Sequence, residues 1–475
     1  MQTLETGVWA GALELPLGAD ELSDALLGLA PERHLHLLDS GGARGEEARL
    51  LLAGFDPFEL VEAYGDELRV YARGRARPAV QRGSLLSLLD ARLALMRGAG
   101  GACVATLSYE LARQFARLRT KGPAPARREP DAVLAFFDAL VVHDYAEGRS
   151  FIVAAEQAGS RAAGMRDALL RSARGRGPEA PPRFDDGGDA LALPPGVSSN
   201  FTRAEYERAV ERVRRHIYAG DIYQANLTQQ LTCRAGVTPD RVFRRLRAEH
   251  PASFAAFVRR REDTIVSASP ERFLRVLGEE GGARLIEAWP IKGTRPRGRD
   301  AAEDARLRAE LLASAKDRAE NVMIVDLTRN DLGRVCRYGS VAVEELCALQ
   351  EHPSLFHLVS KVRGLLRAGV TAGDLLRAAF PCGSITGAPK LRAMEILDEL
   401  EPTARGLSMG SIGYFTPGGA ADLNVAIRTL TFDRAGAARF NVGGGVVADS
   451  DPAAEYEETL VKARALLRAL RRLES

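Results

Sequence analysis

A lysine within PIKGTR, residues 290–295, is the first side chain of this sequence whose type suggests chemistry. Only six of the 65 lysine and arginine residues are lysines, at positions 121, 292, 316, 361, 390 and 462. Lysine can lose its proton and act as a nucleophile or base, whereas arginine in practice keeps its charge. Lys292 is therefore a candidate nucleophile. A solvated lysine in a turn is the alternative, and the neighbouring residues must decide between the two.

Two pairs of carboxylates stand three residues apart in helical patterns, Asp317 with Glu320 and Glu455 with Glu458. This spacing sets both members of a pair on one helix face, and Lys462 continues the second face. Mg²⁺ prefers oxygen ligands, usually one or two carboxylates with water and anionic groups of the substrate. Solvated helix faces show the same spacing, so the pattern alone leaves metal binding and solvation both open.

Two glycine-rich stretches are candidates for binding through the backbone. CGSITGAPK (382–390) is not a nucleotide phosphate loop, because only three residues separate Gly383 from Gly387 and a leucine follows the lysine. Its N–H groups could still hold a carboxylate at the start of a helix. The run Gly443-Gly444-Gly445 fits a close approach of the backbone to a ligand and a tight bend equally well.

The composition excludes several classes of function. With 475 residues, 46% hydrophobic content, 27% charged content and a net charge of +2, the chain predicts a globular protein without nucleic acid or an anionic membrane as its main partner. Five cysteines without a CxxC pair predict neither a disulfide framework nor a zinc site. No long apolar run or signal segment is visible, so the predicted location is the cytoplasm.

The elements that must position these residues follow from local patterns. Thr202 and Glu205 form a capping box that predicts the start of a helix. In residues 223–228 polar and apolar side chains then alternate, which predicts a strand with Gln224 on a polar face. That face could meet solvent or line a polar cavity.

Further along, residues 251–296 predict two or three strands, and about 301–322 predict one helix that carries Asp317 and Glu320. A last helix is expected from about residue 453. Its apolar stripe comprises Tyr456, Leu460, Ala463, Leu467 and Leu470.

A composition change predicts a division of the chain. Residues 173–200 are rich in proline, glycine and charge, which is typical of a linker or a surface loop. We therefore predict an N-terminal region at 1–172 and a second, catalytic domain at 201–475.

Together, these motifs resemble the chorismate-utilising enzymes, and they occur in that family's order over about 270 residues. The matching stretches are AGDIYQANLT (219–228), SASPERFL (267–274), PIKGTRPRG (290–298), DRAENVMIVDLTRNDLGRVC (317–336), FHLVSKVRG (356–364), FPCGSITGAPKLRAMEI (380–396), GSIGYF (410–415), AIRTL (426–430) and GGGVVADSDPAAEYEETLVKA (443–463). HLLDSGG (36–42) and SYELARQFARL (108–118) resemble the family's first domain more weakly. The implied fold is α+β, with two antiparallel sheets stacked as a sandwich, helices outside, and one core shared by both halves.

The resemblance also implies the roles of individual residues. Glu320 and Glu458 match the family's Mg²⁺ ligands, with Asp317 and Glu455 beside them, and the ion would hold the ring carboxylate of chorismate. Glu271 matches the general acid that protonates the departing C4 hydroxyl, and His357 matches the active-site histidine. The residues expected to bind the substrate are Gln224, Gly293, Thr294, Thr386, Gly387, Arg428, Gly443, Gly445 and Lys462.

Two positions separate the branches of the family. Isochorismate and salicylate synthases carry a lysine base at the position of Gln224, and a neutral glutamine disfavours the addition of water. Anthranilate synthases typically have alanine at the position of Lys292. A lysine there resembles the branch that aminates chorismate at C4 through a covalent lysine intermediate. The alternatives are an anthranilate synthase component I and, from another class, a non-catalytic tryptophan-binding or docking protein on the same scaffold.

The resemblance implies partners as well. No Gly-x-Cys-x-Gly nucleophile turn occurs around the cysteines, so ammonia is expected from a separate glutamine amidotransferase subunit. Residues 36–42 match a stretch near the tryptophan pocket of relatives, which makes tryptophan a possible ligand of the N-terminal region. One departure concerns Ser408, which stands where the family usually has an aromatic residue and so puts one substrate contact in question.

Overall fold

The computed structural model describes most of the chain. The described residues are 12–41, 49–98, 100–116, 118, 129–155, 158–175, 193–280, 283–351 and 355–471. Within them, no helix is both long and apolar enough to cross a membrane.

The described residues form 24 strands in chain order. These are β1 (Leu13–Leu15), β2 (His36–Asp39), β3 (Leu50–Gly54), β4 (Glu59–Tyr64), β5 (Glu67–Ala72), β6 (Ala79–Arg82), β7 (Ala102–Leu107), β8 (Ala132–Phe137), β9 (Ala139–Asp144), β10 (Arg149–Ala154), β11 (Val197–Ser199), β12 (Gln224–Arg234), β13 (Phe254–Arg259), β14 (Asp263–Ser269), β15 (Arg272–Glu280), β16 (Ala283–Ala288), β17 (Ile291–Pro296), β18 (Ala342–Glu351), β19 (Leu355–Leu365), β20 (Gly387–Ala388), β21 (Ser411–Phe415), β22 (Ala421–Asn424), β23 (Thr429–Asp433) and β24 (Ala437–Val446).

Ten α-helices accompany these strands in the described part of the chain. They are α1 (Ala19–Leu27), α2 (Leu85–Leu95), α3 (Gly159–Arg174), α4 (Arg203–Tyr218), α5 (Pro239–Glu249), α6 (Ala301–Ala313), α7 (Ala315–Gly333), α8 (Ala372–Ala379), α9 (Lys390–Leu400) and α10 (Pro452–Leu470).

The strands make two antiparallel sheets of 12 strands each. The first runs β1-β10-β9-β3-β2-β13-β14-β23-β24-β12-β11, with β20 also pairing β12. The second runs β17-β19-β16-β15-β22-β21-β7-β8-β4-β5-β6, with β18 also pairing β19. The predicted α+β class with two large antiparallel sheets is confirmed.

Each sheet crosses from the N-terminal region to the C-terminal region at one strand pair. In the first sheet β2 pairs β13, with His36 opposite Val258, and in the second β7 pairs β21, with Leu107 opposite Ser411. One large apolar cluster likewise contains Leu134 from the N-terminal region. The two regions therefore share sheets and core. Of the predicted linker, residues 176–192 lie outside the described residues, and residues 197–199 belong to β11. The domain division itself stays a prediction.

Several local predictions match the structure. Helix α4 starts after Thr202, whose hydroxyl accepts from the Glu205 N–H while the Glu205 carboxylate accepts from the Thr202 N–H. The predicted strand after it is β12, and its polar face is buried, with Gln224 only 1% exposed. The last helix, α10, buries the predicted apolar stripe.

Two local predictions were too coarse. The expected single helix is two helices, because Ser314 ends α6 and its hydroxyl then accepts from the Asp317 N–H to cap α7. Consequently Asp317 and Glu320 lie in the first two turns of α7 rather than at the end of a long helix. Residues 251–296 form five strands, β13 to β17, instead of two or three.

A buried arginine ties the segment before β21 to the interior. Arg405 pairs with Glu401 through two bonds of 2.7 Å and also donates to the carbonyls of Ile385 (2.7 Å) and Asn226 (2.6 Å). Its side chain is 2% exposed and that of Glu401 is 6% exposed. Arg405 thus holds the turn around Ile385 against β12.

Arg405→Ala should lower the free energy of unfolding by about 3–5 kcal/mol, because it leaves the Glu401 carboxylate buried without its partner. Denaturant unfolding followed by circular dichroism measures this. Arg82→Ala is the matched control, since Arg82 pairs with Asp66 at the surface, and it should stay within about 0.5 kcal/mol of the parent. Equal effects of the two changes would contradict the structural role assigned to Arg405.

Candidate active site

Three carboxylates from two helices meet around two consecutive glycines of β24. A Cβ placed on Gly444 would lie 2.8 Å from Glu455 Oε2 and 3.5 Å from Glu458 Oε1, both on α10. A Cβ on Gly445 would lie 3.6 Å from Glu320 Oε2 on α7. The glycine run was compatible with a close approach to the backbone or with a tight bend. At Gly444 and Gly445 it is the close approach that the structure shows, because neighbouring side chains lie close to where a Cβ would stand.

The three carboxylates differ in their electrostatic surroundings. Burial raises the pKa of Glu320, and the negative charges of Asp317 and Glu458 add to this rise. Burial also raises the pKa of Glu455. Burial opposes the charge of Glu458 too, but the Lys462 ammonium, 2.7 Å from Glu458 Oε1, keeps the pKa of that carboxyl below its usual value.

This donor set fits a hard divalent cation. Neighbouring carboxylates that repel one another are the groups whose ionised form such a cation stabilises, and here Glu455 is buried, Glu320 is partly buried and the Glu458 side chain is 47% exposed. Among the described residues no three His, Cys, Asp or Glu side chains are arranged as a complete ligand cluster. Mg²⁺ does not require one, because it commonly takes one or two carboxylates and fills its other positions with water and substrate oxygens. Among the described residues the Glu320 carboxylate has no hydrogen bond or ion pair, whereas Glu455 Oε1 accepts from the Ser450 hydroxyl at 2.6 Å and Glu458 Oε1 pairs with Lys462 at 2.7 Å. Glu320 and the second oxygens of the other two are therefore the oxygens that such an ion would use.

Asp317 and Gly293 bring α7 and β17 together. Asp317 pairs with Arg295, with 3.3 Å between Arg295 Nη2 and Asp317 Oδ2. Its negative charge also raises the pKa of Glu320. Gly293 has a φ of +81°, and a Cβ there would lie 2.9 Å from the Cβ of Asp317. Glycine is therefore required at this position for helix and strand to pack. Direct contact of either residue with a metal or substrate stays a prediction.

Lys292 and Glu271 meet at the turn that precedes β20. The Lys292 Nζ donates to the backbone carbonyl of Ser384 at 3.2 Å. Burial raises the pKa of Glu271 to about 7, against the hydrogen bond of the Ser384 side chain, the charge of Lys292 and the N–H of Ile291. Glu271 Oε1 is buried and has no hydrogen-bond partner among the described residues. A lysine amine and a carboxyl with a pKa of about 7 thus lie close enough for the charge of one to act on the other. Their roles as nucleophile and acid stay predictions.

His357 and Thr294 form a pair across strands β17 and β19. Thr294 Oγ1 lies 2.9 Å from His357 Nδ1, and the two residues are direct neighbours in the strand register. His357 is buried. The threonine hydroxyl therefore orients the imidazole ring, which lies one register position beyond the Lys292 pair in the same sheet.

Gln224 turns an amide without a protein partner towards Gly445. Neither its Oε1 nor its Nε2 has a hydrogen-bond partner among the described residues. A Cβ on Gly445 would lie 2.2 Å from Gln224 Nε2, and a Cβ on Gly387 would lie 2.2 Å from the Gln224 backbone carbonyl. A buried amide without partners costs free energy unless a ligand or water satisfies it. The amide can therefore accept a polar ligand or water, and the predicted contact with substrate stays a prediction.

Other predicted substrate residues have structural contacts of their own. The Thr386 hydroxyl donates within its own turn, to the carbonyls of Cys382 (3.0 Å) and Gly383 (3.1 Å). The carbonyl of Gly443 accepts from Lys462 Nζ at 2.9 Å. Their contacts with substrate stay predictions.

Arg428 is not joined to this group by any contact within the described ranges. Its φ is +49°, burial lowers the pKa of its guanidinium, and its charge acts on His250. Ser408, at the position expected to be aromatic, is buried, and its hydroxyl accepts from the Asn441 N–H at 3.0 Å.

Sequence reasoning missed three residues of the site. Ser384 binds Lys292 through its backbone carbonyl, which no residue pattern reveals. Lys316 Nζ lies 4.0 Å from Glu455 Oε1, and the scarcity of lysine could have identified it. Ser450 bonds Glu455 but carried no signal of its own in the sequence.

The predicted tryptophan region contains little free space. A cavity of about 10 Å³ lies between Gly41, Arg247 and His250, which is room for roughly one water molecule. The nearby Asp39 carboxylate accepts from Arg247 Nε (2.8 Å), from the Tyr145 hydroxyl (2.6 Å) and from the Gly41 N–H (2.8 Å). Tryptophan binding stays a prediction.

Comparisons with known proteins agree with this geometry. The family model described as chorismate binding enzyme matches residues 37–468. Anthranilate synthase component 1 of Streptomyces coelicolor is 38% identical over 455 residues, covering 94% of this chain and 85% of the relative. Aminodeoxychorismate synthase of Streptomyces pristinaespiralis is 43% identical over 72% of this chain, which spans only 47% of that relative. The crystal structure of anthranilate synthase component I from Streptococcus pneumoniae TIGR4 matches with a TM-score of 0.71 at 26% identity, covering 89% of this chain and 93% of that one. The chain belongs to the chorismate-binding enzyme family.

Proposed function

We propose that the chain is an aminodeoxychorismate synthase component I, which converts chorismate and ammonia to 4-amino-4-deoxychorismate, the precursor of 4-aminobenzoate and folate. The observation that carries the proposal is the position of Lys292. Its amine lies at the Ser384 carbonyl, and its charge acts on the buried carboxyl of Glu271. A nucleophile beside an acid of pKa about 7 suits a reaction that must expel a hydroxyl group.

The first step joins the lysine to the ring. The neutral amine of Lys292 attacks C2 of chorismate, both ring double bonds shift (C1=C2 to C6=C1 and C5=C6 to C4=C5), and the C4–O bond breaks. Glu271 gives its proton to the departing oxygen, which leaves as water, because hydroxide is a poor leaving group. The products of this step are an alkylammonium adduct at C2 and the Glu271 carboxylate.

The second step places nitrogen at C4 and frees the enzyme. Ammonia attacks C4, both double bonds shift back to C5=C6 and C1=C2, and the C2–N bond breaks with its electron pair returning to Lys292. The new ammonium at C4 then gives a proton to Glu271, which restores the acid. The sum is chorismate plus ammonia giving aminodeoxychorismate plus water, and the enolpyruvyl group stays on the product.

Other groups of the site bind and orient the substrate in this proposal. Mg²⁺, held by Glu320 and Glu458 with Glu455 and Asp317 beside them, would supply positive charge for the ring carboxylate. The unpartnered amide of Gln224 would hydrogen-bond the substrate, and a neutral amide cannot deprotonate water at that face. Ammonia would come from glutamine through a separate amidotransferase subunit.

The second candidate function is that of an anthranilate synthase component I, which releases anthranilate and pyruvate. The match to the Streptomyces coelicolor relative over 94% of this chain favours it. The experiment that separates the two is incubation of the purified chain with chorismate, Mg²⁺ and an ammonium salt. We expect 4-amino-4-deoxychorismate by mass spectrometry and no pyruvate. Anthranilate with an equal amount of pyruvate would establish the second candidate instead.

Lys292→Ala should lower formation of the C4-amino product by about 100-fold or more, because the covalent step is lost. Intact-protein mass spectrometry with chorismate and no ammonia should show the adduct of chorismate minus water on the parent chain and none on the variant. Lys361→Ala, on the neighbouring strand β19, is the control and should keep the adduct. Undiminished C4 amination by Lys292→Ala would exclude the covalent mechanism.

The ionisation of Glu271 should set the decline of kcat at alkaline pH. Its pKa of about 7 means that the protonated, proton-donating form declines as the pH rises above that value. At a fixed concentration of free ammonia, kcat should therefore fall above about pH 7, approaching tenfold per pH unit. Glu271→Gln should lower kcat by about 10²–10⁴-fold and abolish this decline. A variant that retained the decline would show that another group donates the proton.

A further inference from the structure

A fully buried asparagine, Asn321, stands next to Glu320 on α7 and is 0% exposed. Its side-chain Nδ2 donates to the backbone carbonyl of Leu358 at 3.2 Å, and its Oδ1 accepts from the hydroxyl of Ser360. Leu358 and Ser360 both belong to β19. The amide therefore joins the helix that carries Glu320 to the strand that pairs with β17.

The direction of each hydrogen bond around Asn321 is fixed by its partner. The Leu358 carbonyl can only accept, which places the amide nitrogen there and leaves the amide oxygen for Ser360. The backbone N–H of Cys347 donates to Ser360 Oγ at 2.8 Å, so the one hydrogen of that hydroxyl remains for Asn321. Cys347 lies where β18 shifts register against β19. A chain of hydrogen bonds thus runs from α7 through β19 to β18.

The bond to Leu358 falls opposite Lys292. Leu358 is the residue that faces Lys292 in the register of β17 and β19, and this register shifts between Lys292 and Thr294. Burial raises the pKa of Glu320, and the charge of Lys292 opposes that rise, so the amine and this carboxylate are near enough to interact. One side chain therefore connects the neighbour of Glu320 with the strand partner of Lys292.

A second contact holds the same part of α7. A Cβ on Gly293 would lie 2.9 Å from the Cβ of Asp317, so the helix also rests on β17 at that residue. Asp317 and Asn321 are four residues apart, which places them on one face of the helix. The segment of α7 that contains Glu320 is therefore attached to the sheet on both sides of this residue.

We infer that Asn321 is a positioning residue, whose amide fixes the first turns of α7 on β19 and so sets the Glu320 carboxylate relative to Lys292. This inference rests on the proposed function, in which Glu320 holds Mg²⁺ and Lys292 attacks the ring. Mg²⁺ requires a nearly ideal octahedral arrangement of its ligands. A carboxylate that shifts would bind the cation more weakly and would displace the substrate from the amine.

The test measures cation binding in the full chain with Mn²⁺ as the probe and no substrate. Electron paramagnetic resonance of the free ion gives the dissociation constant. Asn321→Ala should raise this constant by about tenfold, because the neighbouring carboxylate is no longer fixed. Ser360→Ala keeps the bond from Asn321 to Leu358 and should raise it by about threefold. Ser360→Thr, which keeps a hydroxyl, should stay within about twofold of the parent.

Leu140→Ala is the control for a general loss of stability. Leu140 is 2% exposed in an apolar cluster whose buried members all come from residues 52–142, so its truncation leaves a cavity in the N-terminal region. It should lower the midpoint of thermal unfolding and leave the Mn²⁺ dissociation constant within about twofold of the parent. Circular dichroism establishes that each variant is folded. If Asn321→Ala does not fold, Ser360→Ala decides by the same criterion.

Turnover provides the second readout. At saturating Mg²⁺, kcat should fall by about tenfold in Asn321→Ala and stay within about twofold in Leu140→Ala. The inference is overturned if the parent does not bind Mn²⁺, if Asn321→Ala binds it as the parent does, if Leu140→Ala loses as much affinity, or if kcat is unchanged. Weakened Mn²⁺ binding in a chain that forms anthranilate and pyruvate overturns the proposed function and leaves the role of Asn321 towards Glu320 standing.

Discussion

The site depends on a few backbone positions where there is no room for any side chain larger than that of glycine. Gly444 and Gly445 leave room for carboxylates from α7 and α10. Gly293 lets α7 pack against β17, and Gly383 lets α7 pack against the turn at residues 383–385. A methyl group at any of the four would stand within 3.6 Å of these neighbours. Because the backbone is bare here, helices that carry charge can approach the sheet ends closely enough to enclose a small anionic substrate.

Burial then gives the enclosed groups their chemical character. It moves the pKa of Glu271 to about 7, where a carboxyl can both donate and regain a proton, and it disfavours the charge on Glu320 and Glu455. The lysines near the site work in the opposite direction. Lys462 keeps Glu458 ionised, and Lys292 favours the carboxylate of Glu271. One cluster thus combines a carboxyl of pKa about 7, a lysine amine and three neighbouring carboxylates.

Local chemistry made part of this architecture predictable. The capping box at Thr202 and the apolar stripe of α10 each depend on residues within one element, and both were correct. The break at Ser314 was missed, because a serine within a helical pattern can bond the backbone in either of two ways and packing selects one. The five strands in residues 251–296 were undercounted, although β13 pairs β14 and β15 pairs β16 locally, because other pairings join residues far apart in the chain, such as β16 with β19.

The candidate site was likewise only partly predictable from the sequence. Side-chain types and spacing identified the carboxylate pairs and Lys292, and the resemblance added Glu271 and Gln224. The contact of Lys292 with Ser384 is made by a backbone carbonyl, and every residue has one, so the residue type carries no signal for it. The pairing of Asp317 with Arg295 likewise depends on β17 lying beside α7, which local patterns do not indicate.

In each sheet a single strand pair joins the N-terminal region to the C-terminal region, so the chain can be divided into two fragments by separating only these two pairs. A cut between β10 and β11 would uncover the edges of β2 and β7 in one fragment and those of β13 and β21 in the other. Each piece would then present two newly unpaired strand edges, a feature that favours aggregation when a fragment is made alone. Those edges are also complementary in register, four residue pairs at one junction and five at the other. Two fragments produced together therefore have the geometry of a split enzyme, in which reassembly of the halves could be read out as recovered catalysis.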